Sequence, residues 1–229
     1  MYKLNICQHP GCTKTALSTF DSEGNITETP FYCKEHCPDP QKWIDMVREY
    51  ISHHDKIVGL NASGLVISDI DLSGKRFYGC NLQHCQLTNV HSTKIRARMC
   101  MLDYCTFTDS SFLESNIQFS SFSGATLEHI LLTGSDLIHN NFNGITAYQC
   151  SFDDSDLYNS RFIKAFLINT SFKNCNLKKT SFYSSAREGV SFKMSNTKEA
   201  LIDRNKGGLM GDLEAQFEDD DLLEAGDLD

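Results

Sequence analysis

No stretch of this chain approaches the run of about 20 apolar residues that spans a bilayer, and no apolar segment follows Met1 in the manner of an export signal. A soluble, cytoplasmic chain with no membrane association is the resulting expectation. No phosphate-cradling glycine loop is present, and no serine, histidine and acid are spaced as a catalytic constellation, so enzymatic activity is not expected. Residues 1–56 carry no basic stripe, which argues against direct nucleic-acid binding. Residues 212–229 contain nine acids and no base. Taking those 9 from the 30 acids of the chain leaves 21 against 21 Lys plus Arg, so the net charge of −9 resides in that segment and residues 1–211 are formally neutral.

What is abundant is a large apolar residue at every fifth position. From Ile67 to Phe192 the frame has 26 positions, and all but Ser92, Ala97, Ala147 and Arg187 are Leu, Ile or Phe. A period of five fits neither a helix, which would scatter these residues around its surface, nor a strand, which would alternate their faces. The chain must therefore turn once per repeat. Two residues before most of these positions stands a small side chain, as at Cys80, Cys105, Ser110, Ser135, Ser155, Ala165 and Cys175. One large and one small inward residue per repeat is the packing rule of a narrow, filled tube, here over residues 57–197.

The units Asp71-Leu72-Ser73-Gly74, Asn81-Leu82, Asp136-Leu137, Asp156-Leu157 and Asn176-Leu177 make this stretch resemble the pentapeptide-repeat family. The resemblance implies an all-β solenoid, a right-handed quadrilateral β-helix of about seven coils, twenty residues each, so residues twenty apart should stack. Phe122, Phe142, Phe162 and Phe182 then form one column, and Phe112, Leu132, Phe152, Phe172 and Phe192 another. Two departures predict local distortion. Residues 89–98 are weakly apolar and basic, suggesting a softened or bulged coil. Arg187 is costly to bury unpaired, suggesting a loop bulging outward over residues 184–189. His84, His91, His129 and His139 are expected at the surface.

Ten cysteines without an export signal suit a reducing compartment, where thiols serve as metal ligands or small core residues. Six fall in the repeat frame. The other four, Cys7, Cys12, Cys33 and Cys37, cluster in residues 1–38, where Cys7-x4-Cys12 and Cys33-x2-His36-Cys37 are joined by a loop containing the turn residues Asp21 to Asn25. Two close pairs of soft ligands across a loop suit tetrahedral zinc. The preferred set is Cys7, Cys12, Cys33 and His36, with Cys37 as an alternative to His36 and His9 a weaker candidate. Four protein ligands imply a structural zinc knuckle rather than a catalytic one.

Residues 39–56 predict a helix capped by Asp39, with Pro40 in its first turn and Trp43, Met46, Val47, Tyr50 and Ile51 on one face as a lid over the open end of the tube. At the other end, residues 198–229 predict a short closing helix from Lys198 to Arg204, then an acidic tail lacking enough apolar residues to fold alone. Acids interspersed with Phe217, Leu222 and Leu223 suggest a docking segment. The expected function is a non-enzymatic protein-interaction or scaffold module with a structural Zn2+. The resemblance implies one alternative, a DNA-mimicking, topoisomerase-binding protein that protects gyrase, which the neutrality of residues 1–211 disfavours.

Overall fold

The computed structural model of the chain describes residues 5–201. The acidic tail, with Phe217, Leu222 and Leu223, lies outside the described residues. From Lys56 onward the repeats are either three-residue strands or tight turns, most with the central residue buried, followed by an outward corner residue in the left-handed region and a second inward residue. Corner φ values such as 54° at Asp69, 57° at Tyr104 and 56° at Lys164 recur on side chains that seldom adopt them. Such strain costs on the order of 1 kcal/mol per residue. Inter-coil hydrogen bonding at the same corner offsets it, the Tyr104 N–H donating to the Ser123 carbonyl at 2.9 Å and the Lys164 N–H to that of Tyr183 at 3.0 Å.

Every coil-to-coil pairing between named strands is parallel and offset by twenty residues. One face runs Ile67, Leu87, Phe107, Leu127, Ala147, Leu167, Arg187, and another Ile57, Phe77, Ala97, Ile117. The predicted aromatic columns stack face to face. Phe142 and Phe162 have centroids 4.8 Å apart and Phe152 and Phe172 also 4.8 Å, while Phe152 meets Phe162 edge-on at 5.7 Å. Phe142, Phe152, Phe162, Phe172 and Phe182 thus interlock in a herringbone from which solvent is excluded. The result is a β-solenoid of about seven coils.

Neither predicted distortion is present. The strands His91–Thr93 and Arg96–Arg98 keep register with Ser111–Leu113 and Asn116–Gln118. Ser92 and Ala97 are small, but Val90 and Ile95, at the positions usually held by small residues, are buried in compensation. The exchange is imperfect and leaves an apolar void of about 70 Å³ lined by Phe77, Ile95, Ala97, Phe107 and Ile117 among others. Residues 184–189 do not bulge either, because the strand Ala186–Glu188 pairs with Phe166–Ile168. Arg187 stays inward but only partly buried near the end of the described rod, its guanidinium 5.7 Å from the centre of the Phe182 ring, which supplies a cation–π contact. The predicted closing helix is also absent from the described residues. Residues 198–201 continue the repeat, with Leu201 bridging to Ser181, because Ala200 and Leu201 fit the frame's inward and edge positions as well as they fit a helix.

At the N-terminal end, helix α1 (Pro40–His53) begins where Asp39 caps the Lys42 N–H at 3.0 Å. It buries Trp43, Val47, Tyr50 and Ile51 in one continuous core with Ile57, Leu60 and Leu65 of the first coil. The Trp43 indole N–H donates to the Ser18 carbonyl at 2.9 Å. This is the lid that a solenoid end requires. Preceding it, a two-stranded hairpin, β1 (Thr19–Phe20) and β2 (Ile26–Thr27), turns at Asp21, whose side chain accepts from the N–H groups of Glu23 and Asn25 at 2.9 and 2.8 Å. The chain just before it clamps to the rod: Asn61 donates from its amide to the Ala16 carbonyl at 2.6 Å and from its backbone to the Ser18 hydroxyl at 2.8 Å.

Candidate metal centre

The hairpin and the 3-10 turn Lys34–His36 bring the two halves of the Cys/His motif together. Cys7 and Cys12 flank a tight turn in which the Cys12 N–H donates to the His9 carbonyl at 3.0 Å, and the Cys7 N–H donates across to Lys14 at 2.9 Å. Cys33 precedes the 3-10 turn, which swings His36 back to the same side. The donor atoms of Cys7, Cys12, Cys33 and His36 all lie within 4.8 Å of one another. Cys7 Sγ is 3.5 Å from His36 Nδ1, Cys33 Sγ is 3.4 Å from the same nitrogen, and the Cys12 and Cys33 sulfurs are 3.8 Å apart.

Those separations can be set against a metal. With metal–sulfur bonds of ~2.3 Å and metal–nitrogen bonds of ~2.0 Å, a regular tetrahedron has S···S edges of ~3.8 Å and S···N edges of ~3.5 Å. The three distances match the edges, so the cluster fits a tetrahedral soft cation. Cys37 is not among the four; it is half-buried against the core, and burial raises its thiol pKa. His9 is not among them either. Its ring stacks on that of His36 with centroids 3.8 Å apart and planes 7° off parallel, fixing the imidazole from behind.

Two residues at the site escaped the sequence reading. Lys14 and Glu35 form an ion pair at 2.6 Å, and the other carboxylate oxygen of Glu35 accepts from the Cys33 thiol at 3.1 Å. Their place inside the motif, Lys14 two residues after Cys12 and Glu35 between Cys33 and His36, was the available signal. The hydrogen bond from Lys14 holds the Glu35 carboxyl down to about 2. Burial, then the bond to Glu35, pushes Cys33 up to about 11. At Cys7 burial also acts upward, but backbone hydrogen bonds at Cys33 and His9 and side-chain bonds with His36 and Cys33 outweigh it, down to about 6. Three sulfurs and one imidazole nitrogen converging on a single point are the donor set of a soft divalent cation, which would hold coordinating thiols as thiolates.

The hydroxyls, thiols and amides of the rod interior are committed elsewhere. Ser135, Ser155, Ser160 and Thr180 donate to carbonyls of the preceding coil, Ser155 to Leu132 at 2.9 Å and Ser160 to Leu137 at 2.7 Å, and the same serine oxygens accept N–H groups from that coil, as Ser135 N to Ser155 Oγ at 3.0 Å. Cys175 and Asn140 do likewise with Phe152 and Ile117. These inward small residues staple coil to coil, a role beyond the space-filling that their size suggests. Among the described residues no helix is long and apolar enough to cross a membrane.

A family model described as pentapeptide repeats (8 copies) matches residues 150–185. No curated protein matches the chain. Among solved structures it is similar to Rfr23, a pentapeptide-repeat protein from the cyanobacterium Cyanothece (16% identity, 56% of this chain and 91% of that one, TM-score 0.40). It is also similar to QnrB1, a plasmid-mediated fluoroquinolone resistance protein (16% identity, 73% and 96%, TM-score 0.38), and to HetL from the cyanobacterium Nostoc (11% identity, 68% and 92%, TM-score 0.27). The matched segment, residues 150–185, is thus a run of pentapeptide repeats, lying inside a five-residue frame whose coils stack every twenty residues.

Proposed function

We propose that the chain is a non-enzymatic protein-interaction scaffold: a filled rod carrying, at its N-terminal end, a knuckle in which Cys7, Cys12, Cys33 and His36 hold a structural zinc. The observation that carries this reading is how chemically capable side chains are distributed. Those inside the rod are spent on inter-coil hydrogen bonds, as Ser155, Ser160 and Thr180 are, which leaves outer faces and the knuckle to meet other molecules. Four protein donors fill a tetrahedral zinc and leave no position for water, so the metal's contribution is to fold a segment with little core of its own. Ten free thiols suit the reducing cytoplasm.

The alternative, mimicry of DNA to bind a topoisomerase and protect gyrase, needs a rod of continuous negative potential. Lys56, Arg76, Arg96 and Arg98 occupy outer positions of one face of this rod, all exposed, and interrupt any such surface. Affinity capture from native lysate with the full chain and with Cys12→Ser tests the reading. A protein partner recovered in stoichiometric amount by the full chain, and reduced several-fold with Cys12→Ser, is expected. Gyrase as that partner, with inhibition of supercoiling by the full chain, would overturn the choice between the two readings.

A further inference from the structure

The same cationic face carries an interaction surface whose occupant can be argued from the chain itself. The strands Lys56–Val58, Arg76–Tyr78 and Arg96–Arg98 pair in parallel, with Lys56 opposite Arg76 and Arg76 opposite Arg96. Three cations are therefore stacked at the strand spacing of ~4.8 Å, and Arg98 stands opposite Tyr78 in the adjoining row. Like charges directly opposite one another destabilise a ladder. Among the described residues, none of the ion pairs involves any of these four side chains. Lys56 lies 5.7 Å from the centre of the Tyr78 ring, a cation–π contact that leaves its charge in place.

Farther along the same column the fold treats charge differently. Asp136 accepts from the Asn116 amide at 2.9 Å and Asp156 from that of Asn176 at 3.0 Å, so these acids are satisfied by neighbouring rungs. The cationic rungs have no such arrangement. Apolar side chains border them at the next corner, where Met99 and Phe119 are 68% and 52% exposed. Arginine with methionine and aromatic residues is the composition enriched at interface cores. The ligand that fits is an extended acidic segment carrying a few large apolar residues.

Residues 212–229 have that composition, with nine acids, no base, and Phe217, Leu222 and Leu223 among them. Their attachment permits contact. Leu201 lies five coils beyond Arg96 by register, roughly 25 Å along the rod at the strand spacing. The ten residues 202–211 span up to about 33 Å when extended. We infer that residues 212–229 dock in cis on the strip of Lys56, Arg76, Arg96 and Arg98, with Met99 and Phe119 receiving the apolar side chains. This goes beyond the scaffold reading, since it requires no external partner; any partner using this strip would compete with the tail.

Zero-length carbodiimide cross-linking of the full chain, followed by peptide mapping, tests the proposal, because Lys56 is the amine on the strip. Within the monomer, Lys56 should couple to acids of 212–229 more strongly than do Lys178, Lys179, Lys193 or Lys198, which lie nearer the tail's attachment. The Lys56 links should fall about tenfold in Arg76→Gln/Arg96→Gln/Arg98→Gln, as expected from the loss of three exposed ion pairs. In the unaltered protein they should fall similarly at about 1 M salt, where screening is short-ranged. Tail links confined to lysines near Leu201, Lys56 links insensitive to salt, or Lys56 links found only between copies would each overturn docking in cis.

Discussion

His129 at the outer corner of its repeat illustrates how stacking in register converts a surface residue into an electrostatic one. Its Nδ1 lies 2.8 Å from the carboxylate of Asp109, twenty residues earlier. The hydrogen bond to Asp109 raises the imidazole above its ordinary value of 6.5. A raised folded-state value means that the pair stabilises the protein fully below pH 6.5, and that this contribution is lost as pH rises through the folded value. A histidine titration followed by NMR should place the His129 midpoint above 6.5, and Asp109→Asn should return it toward that value. An unshifted midpoint in the unaltered protein would show that the pair does not persist in solution. At the same scale, Arg187 shows the reach of a single side chain: a guanidinium at the end of a column is accommodated by the Phe182 face without disturbing the strand.

At the scale of the element, the coil around Ala97 and the coil around Phe162 are packed to different standards, and substitutions there should have opposite signs. Phe162 has no exposed surface and touches Phe142 and Phe182 face to face and Phe152 and Phe172 edge-on. Phe162→Ala should cost about 3–5 kcal/mol. Ala97 lines the void of about 70 Å³ between Phe77 and Ile117, and Ala97→Ile should stabilise by about 0.5–2 kcal/mol as a cavity-filling change. Urea unfolding of both variants checks the pair, and destabilisation by Ala97→Ile would mean that the void is too narrow for the added methylenes.

These elements also show how much a sequence discloses. The frame, the stacked columns and the helical lid were legible because each is written as a periodicity, and periodicity survives without tertiary information. Residues 89–98 and 184–189 look like distortions only when each position of the frame is taken alone. Ile95 fills part of the space that Ala97 leaves, and the ladder to Phe166–Ile168 holds the strand of Arg187 in place. The same limit hid the Lys14–Glu35 brace, which depends on a meeting of the two motif halves that spacing alone does not specify.

For the molecule as a whole, the ten thiols report on how knuckle and rod divide the labour. Cys80, Cys85, Cys100, Cys105, Cys150 and Cys175 are buried within the coils, whereas Cys7, Cys12, Cys33 and Cys37 lie in the N-terminal segment. In native protein treated with a strong chelator, the four N-terminal thiols should react with an aromatic disulfide reagent, while the six of the rod should react only on unfolding. Reaction of all ten at once on chelation would mean that the metal holds the entire rod. The most direct test of the account is X-ray absorption at the zinc edge on protein purified without added metal. The prediction is one zinc per chain with three sulfurs at ~2.3 Å and one nitrogen at ~2.0 Å. Absence of zinc, or a shell containing a water oxygen in place of one protein donor, would contradict a closed structural site built from Cys7, Cys12, Cys33 and His36.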